Sequence, residues 1–140
     1  MEEIKQFIAT RAFILHQGKI LIIRESKEYK GGSKIGQYDF PGGKVKPGET
    51  VEESLIRETR EESGLEVKIG KPFFVTEWRP KVNGQQLQII GIFFECFSDS
   101  REVKLSEQHD DYQWIDPQDY QKYSLMKEKA QAFEAYLNKN

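Results

Sequence analysis

Three carboxylates, Glu58, Glu61 and Glu62, stand beside Arg57 within six residues, shortly after the turn Pro41-Gly42-Gly43 and the intervening Glu49. On a helix, spacings of three and four residues bring side chains to one face, so the acids can surround a shared cation. Oxygen ligands of this kind suit magnesium or manganese, which take a few carboxylates together with water and substrate phosphate. Arg57 lies next to Glu58 and four residues before Glu61, where its planar fork can hold a carboxylate in orientation. The chemistry available is the gripping of a divalent cation against a phosphorylated substrate.

The elements that position these groups are marked in the chain. Thr50 followed three residues later by Glu53 forms a capping box, and Gly64 can take the left-handed conformation past a last turn, which predicts a helix over about 50–63. With 100° per residue, Glu58 and Glu62 fall within about 20° of Val51, so both continue the apolar stripe of Val51 and Leu55. Ionised carboxylates in that stripe must find a compensating charge. An exposed acidic helix would require neither the Pro-Gly-Gly turn, the fixed gap to Glu49, nor the terminal Gly64-Leu65.

These residues resemble the Nudix box, G-x5-E-x7-R-E-U-x-E-E-x-G-U with U aliphatic, over 23 residues from Gly43 to Leu65. Every glycine and charged position is matched, and the one departure is Thr59 at the first U position. Tyr38-Asp39-Phe40 before the turn and Trp114-Ile115 near the C-terminus are similar to the same family. The resemblance implies an α/β fold, a mixed β-sheet between helices in an α/β/α sandwich. It also implies hydrolysis of a nucleoside diphosphate linked to another moiety, with water attacking one phosphorus. By matching positions, the metal ligands would be Glu58, Glu61, Glu62 and the Gly43 carbonyl, holding Mg2+ or Mn2+. Arg57 would orient Glu58 or Glu61, and Glu49 would anchor the loop or complete an outer metal shell. Glu58 or Glu61 could act as general base. The family also takes its base from a later loop, and Glu107, in Glu107-Gln108-His109-Asp110-Asp111, is the candidate there. His109 in the same run could contact phosphate.

Substrate contacts are expected from Arg24, from Lys34 within the polar segment 25–37 that also holds Lys27 and Lys30, and from Tyr38 and Asp39, whose stretch looks like the MutT-type branch acting on oxidised nucleoside triphosphates. Trp78, Phe7 or Phe74 could stack on a base. A nucleoside triphosphate leads, ahead of dinucleoside polyphosphates, nucleotide sugars and capped RNA. A non-catalytic nucleotide-binding regulator should have lost box carboxylates, and a calcium loop would need the alternating acids of an EF-hand.

The remaining chain is read as one domain over residues 1–140. A net charge of −2 gives no basic surplus, which disfavours nucleic acid as partner. No apolar run reaches membrane-spanning length, the N-terminus has no signal-peptide pattern, and the single Cys96 sits in an apolar run, all of which fit a reducing cytoplasm. A homodimer is left open on base rates. Phe7–Leu15 and Lys19–Arg24 predict a hairpin with an exposed His16 at its turn. Leu65–Ile69 and Phe73–Arg79 read as two strands, and Asn83-Gly84 as the hairpin turn before a long strand over Gln85–Phe97. Val103, Leu105 and Tyr112–Ile115 read as short extended pieces. Pro117–Tyr123 and Ser124–Asn138 read as helices, the last presenting Leu125, Met126, Lys129, Ala132, Phe133, Tyr136 and Leu137 as a core-packing face.

Overall fold

The computed structural model describes residues 3–26 and 36–139. Its elements run β1 (Ile4–His16), β2 (Lys19–Glu25), β3 (Tyr38–Asp39), β4 (Gly42–Lys44), α1 (Val51–Ser63), β5 (Lys68–Trp78), β6 (Lys81–Val82), β7 (Gln85–Phe97), β8 (His109–Ile115), a 3-10 turn (Pro117–Lys122) and α2 (Lys127–Asn138). The strands form a sheet ordered β3-β2-β1-β7-β5, with β4 also on β1, β6 on β7 and β8 on β2. β1 and β7 pair in parallel from Ile4↔Gln86 to Leu15↔Phe97, while the other pairings are antiparallel, so the sheet is mixed.

Alternation along the strands makes two cores, because successive side chains leave a strand on opposite faces. Phe13, Ile20, Ile22 and Phe93 point to the face covered by Ala132 and Phe133 of α2. Ala12, Ile14, Leu21, Ile23, Phe94 and Cys96 point to the face covered by Leu55 of α1. The expected sandwich of a mixed sheet between helices is what the chain forms. Cys96 is fully buried, and burial pushes its thiol up to about 12, so it is a core residue. No helix among the described residues is long and apolar enough to cross a membrane.

Several local expectations give way to tertiary structure. The two strands read over 65–79 are one strand, β5, whose register shifts on either side of Pro72. Proline has no N–H for the ladder, so a bulge carries the strand past it. The last helix starts at Lys127 instead of Ser124, because β3 recruits the residues before it: the Tyr38 N–H donates to the Ser124 carbonyl at 2.7 Å, and Tyr38 bridges Leu125. The expected helix over 117–123 is a 3-10 turn capped by Asp116. Val103 and Leu105 are half-buried against the α1-side core without joining a strand. His16 is half-buried as well, its Nδ1 2.8 Å from the Ser98 carbonyl. The Asn83-Gly84 turn is as expected, both residues having positive φ (50° and 78°) between β6 and β7.

Candidate active site

α1 carries the carboxylates, and its ends are fixed locally. The Glu53 N–H donates to Thr50 Oγ1 at 3.1 Å and the Thr50 N–H to Glu53 Oε1 at 3.2 Å, the reciprocal pair that closes a first turn. Gly64 ends the helix at φ 75°, with its N–H on the Arg60 carbonyl. Inside the first two turns Arg57 grips Glu49 with two bonds, Nε to Oε2 at 2.7 Å and Nη2 to Oε1 at 3.0 Å, which ties the incoming loop to the helix. That grip holds Glu49 down to about 2. The same guanidinium reaches Glu58 Oε1 at 2.8 Å and, more loosely, Glu61 Oε2 at 3.5 Å.

Glu58 leans into a space that only glycine leaves open. A Cβ on Gly43 would stand 2.6 Å from the Glu58 carboxyl carbon, so the absent side chain lets this carboxylate lie against the β4 backbone. Glu62 accepts the Gly42 N–H at 2.7 Å, and His109 Nε2 lies 4.0 Å from its other oxygen. Glu61 is the open member, its side chain 58% exposed.

A second cluster lies one step further along the sheet. Asp39 Oδ1 accepts the Phe40 N–H at 2.7 Å and stands 3.3 Å from Arg11 Nε, while Oδ2 stands 3.8 Å from Lys129 Nζ. The Lys129 ammonium and the Arg11 guanidinium lie 3.8 Å and 5.5 Å from the Trp78 ring centroid, within cation–π range.

The two half-buried carboxylates shift in opposite directions. Burial raises both, but at Asp39 the charges of Lys129 and Arg11 and the Phe40 N–H outweigh it, and the group is held below its ordinary value. At Glu62 burial dominates, the Gly42 N–H and Arg11 offset it only in part, Glu58 and Asp39 add repulsion, and the group is pushed up to about 8. Burial therefore leaves the charged form of Glu62 only partly compensated by the protein itself. Among the described residues no three acids, imidazoles or thiols already converge on one ion position. Magnesium and manganese do not need such a cage, since water and substrate phosphate complete their shell. The donor set fits a divalent cation: two carboxylates fixed against β4, a third open beside them, and only partial compensation of the deepest.

Three adjoining cavities share walls and make one track. The first, about 400 Å³, is lined by Gly42, Gly43, Arg57, Glu58, Glu61 and Glu62 together with Lys46, Ser106 and Gln108. A narrow throat of about 140 Å³ follows, shared through Gly42, Glu62 and Gln108 and passing Arg11, Asp39 and His109. The track opens into a cavity of about 530 Å³ between Trp78, the β5–β6 connection and the start of α2, with Leu87, Ile89 and Met126 as apolar wall.

The structure thus gathers Gly43, Arg57, Glu58, Glu61 and Glu62 on one cavity and sets Asp39 on the throat. Glu107 is exposed in the turn before β8, and its neighbours Ser106 and Gln108, not Glu107 itself, line the first cavity. Arg24 is engaged by Asp110 at 2.7 Å, a half-exposed pair, and lies over the Tyr38 ring. Tyr38 is a core residue whose hydroxyl donates to the Asp111 carboxylate. Lys34, with Lys27 and Lys30, lies outside the described residues. Of the three aromatics considered for stacking, only Trp78 lines the track: Phe74 packs on Phe93 at 5.4 Å and Phe7 lies under Lys44 at 3.6 Å.

Arg11 and Lys129 were not singled out as site residues by the sequence reading. Each had a signal: a cation in the middle of the run Phe7–Leu15, and a lone cation on the apolar face of the last helix. Lys129 does belong to the buried face, being 1% exposed, but it is there as a charge against Asp39.

Comparison with known proteins finds similar sequences and similar folds. A family model described as the NUDIX domain matches residues 5–136. Nucleoside triphosphatase NudI from several Escherichia coli strains is 37% identical over 100 residues, covering 64% of this chain and 69% of the relative. The structure of a MutT protein from Methanosarcina mazei Go1 superposes with a TM-score of 0.80 at 26% identity, over 99% of this chain and 100% of that one. A MutT NUDIX hydrolase from Burkholderia pseudomallei gives 0.78 at 25% identity, over 94% and 98%.

Proposed function

The chain belongs to the NUDIX family of hydrolases of phosphoanhydride bonds, and on that premise we propose that it cleaves a nucleoside triphosphate to the monophosphate and pyrophosphate with Mg2+ or Mn2+. The supporting observation is the continuous track: acids at one end, a narrow throat, and a wide half-apolar cavity at the other, which matches a molecule with phosphates at one end and a base at the other. NudI, the relative above, is by its name a nucleoside triphosphatase, which agrees with this choice.

Glu58, Glu61, Glu62 and the Gly43 carbonyl would hold the cation. When bound, it neutralises the diphosphate charge and acidifies the attacking water. Arg57, anchored by Glu49, keeps the Glu58 carboxylate turned toward the cavity. Glu61, the least engaged of the three acids, serves either as a ligand or as the acceptor, at its carboxylate, of the attacking water's proton. Glu107 is the second candidate for that role, carried by its position between two residues that line the cavity. Arg11 and His109, on the throat, face the path of the phosphate chain.

The test is release of phosphate and pyrophosphate with magnesium or manganese across nucleoside triphosphates, oxidised nucleotides, dinucleoside polyphosphates and nucleotide sugars. Triphosphates are expected to turn over fastest with release of pyrophosphate, and Glu62→Gln is expected to lose at least about a hundredfold in kcat while keeping its fold. Undiminished hydrolysis by Glu62→Gln would falsify the ligand assignment. Faster turnover of dinucleoside polyphosphates or nucleotide sugars would transfer the substrate reading to them.

A further inference from the structure

The wide cavity ends in a rigid charged group. A Cβ on Gly91 would lie 2.5 Å and 2.7 Å from Cζ3 and Cη2 of Trp78, so the indole edge is seated on the β7 backbone and the ring is held in place. Lys129 Nζ sits 3.8 Å from that ring's centroid and 3.8 Å from Asp39 Oδ2, at 1% exposure. Asp39 in turn has its other oxygen on the Phe40 N–H and facing Arg11. The carboxylate is engaged within the protein, and the cations beside it line the cavity with Trp78.

An ammonium and a guanidinium carry only donors. Glu25 and Glu128 on the same wall are acceptors, and Lys129 is an ammonium set between the Trp78 ring and the Asp39 carboxylate. A fixed donor reads its ligand by mismatch. Facing a carbonyl oxygen it gains a charge-assisted bond, whereas facing an exocyclic amine it sets donor against donor and leaves both desolvated and unpaired.

We propose, resting on the nucleotide reading above, that Lys129 is the specificity-determining residue of this enzyme. It donates to a carbonyl oxygen of the nucleobase and selects keto bases over amino bases. Asp39, itself engaged by Arg11, is the positioning residue that holds the ammonium at the cavity wall, and Trp78 on Gly91 is the surface on which it rests.

Matched pairs isolate this contact. Inosine triphosphate and adenosine triphosphate differ at C6 as carbonyl against amine, with the ring proton that accompanies the change, and uridine and cytidine triphosphates differ likewise at C4. The keto member of each pair is expected to have kcat/KM at least about tenfold above its amino partner, mainly through KM. In Lys129→Met both ratios are expected to collapse to within about twofold. Lys129→Gln, whose amide can present either an oxygen or an N–H, provides the same comparison should the methionine variant fail to fold. A residue that merely supports the fold would lower all four substrates together and leave the ratios intact; that result overturns the assignment, as does a wild-type enzyme that treats each pair alike. Absence of turnover on all four would overturn the nucleotide reading and the inference together, whereas turnover without keto preference overturns the inference alone.

Discussion

Two glycines carry the two ends of the substrate track, and each gives its missing side chain to another segment. Gly43 makes room for the Glu58 carboxylate from α1, and Gly91 makes room for the Trp78 ring from β5. The intruder at Gly43 is the tip of a flexible side chain whose neighbours Arg57, Glu61 and Glu62 come from the same helix. The intruder at Gly91 is a rigid ring, and the charges around it, Arg11, Asp39 and Lys129, come from β1, β3 and α2. The charge balance differs as well. The first region leaves its deepest acid only partly compensated and pushed up to about 8, whereas the second neutralises its acid with two cations. A region whose acid is left uncompensated is suited to receive a cation; a region whose acid is compensated from within is suited to hold a shape.

Substitution at the first glycine should give the larger functional effect. Gly43→Ala is expected to displace the Glu58 carboxylate, because that tip can swing aside while the backbone stays. Manganese affinity should fall by about 10- to 100-fold, with thermal stability little changed. Isothermal titration and a melting curve read the two quantities separately. A loss of stability as large as the loss of affinity would break the contrast, since it would mean that Glu58 is part of the fold.

Gly91→Ala meets a ring that cannot swing, so the effect should appear in both packing and substrate fit. Stability is expected to fall by about 1–3 kcal/mol, as in other overpacked sites, and KM for a nucleoside triphosphate to rise several-fold. Manganese affinity should stay near wild type, because β1 stands between β4 and the change. Equal damage to cation affinity would show that the two regions are one mechanical unit.

The smallest effect concerns acid. Asp39 is held below its ordinary 3.8, so its contribution is fully present above that value and is lost as pH falls through the lower folded value. Asp39→Asn should be less stable than wild type at neutral pH, where it leaves Arg11 and Lys129 without their carboxylate. The gap in urea midpoint should narrow once the pH drops below the ordinary value. A gap constant from neutral pH down to strong acid would remove the ion cluster as its cause.

The first region was legible in the chain almost entirely. The cap at Thr50, the stop at Gly64 and the placement of Arg57, Glu58, Glu61 and Glu62 follow from spacings within a single helix. The hairpin turn at Asn83-Gly84 was legible because a two-residue turn is likewise local, whereas the split of β1, β2 and β7 between two cores emerged only in the folded sheet. The second region was not legible. Nothing in the chain joins Asp39 and Trp78 to the partners that explain them, and Lys129 reads there only as packing. Tyr38 looked like a substrate contact, yet its neighbours in space, Asp111 and Ser124, draw it into the core.

The chain by itself determined which residues share a turn of α1, because 3.6 residues per turn makes neighbours at three and four positions whatever surrounds them. Only the tertiary structure decided that Arg11, Asp39, Trp78 and Lys129 meet. Neighbours across strands depend on a register that the whole sheet sets, and the face of α2 turned to that sheet depends on where β3 allows the helix to begin.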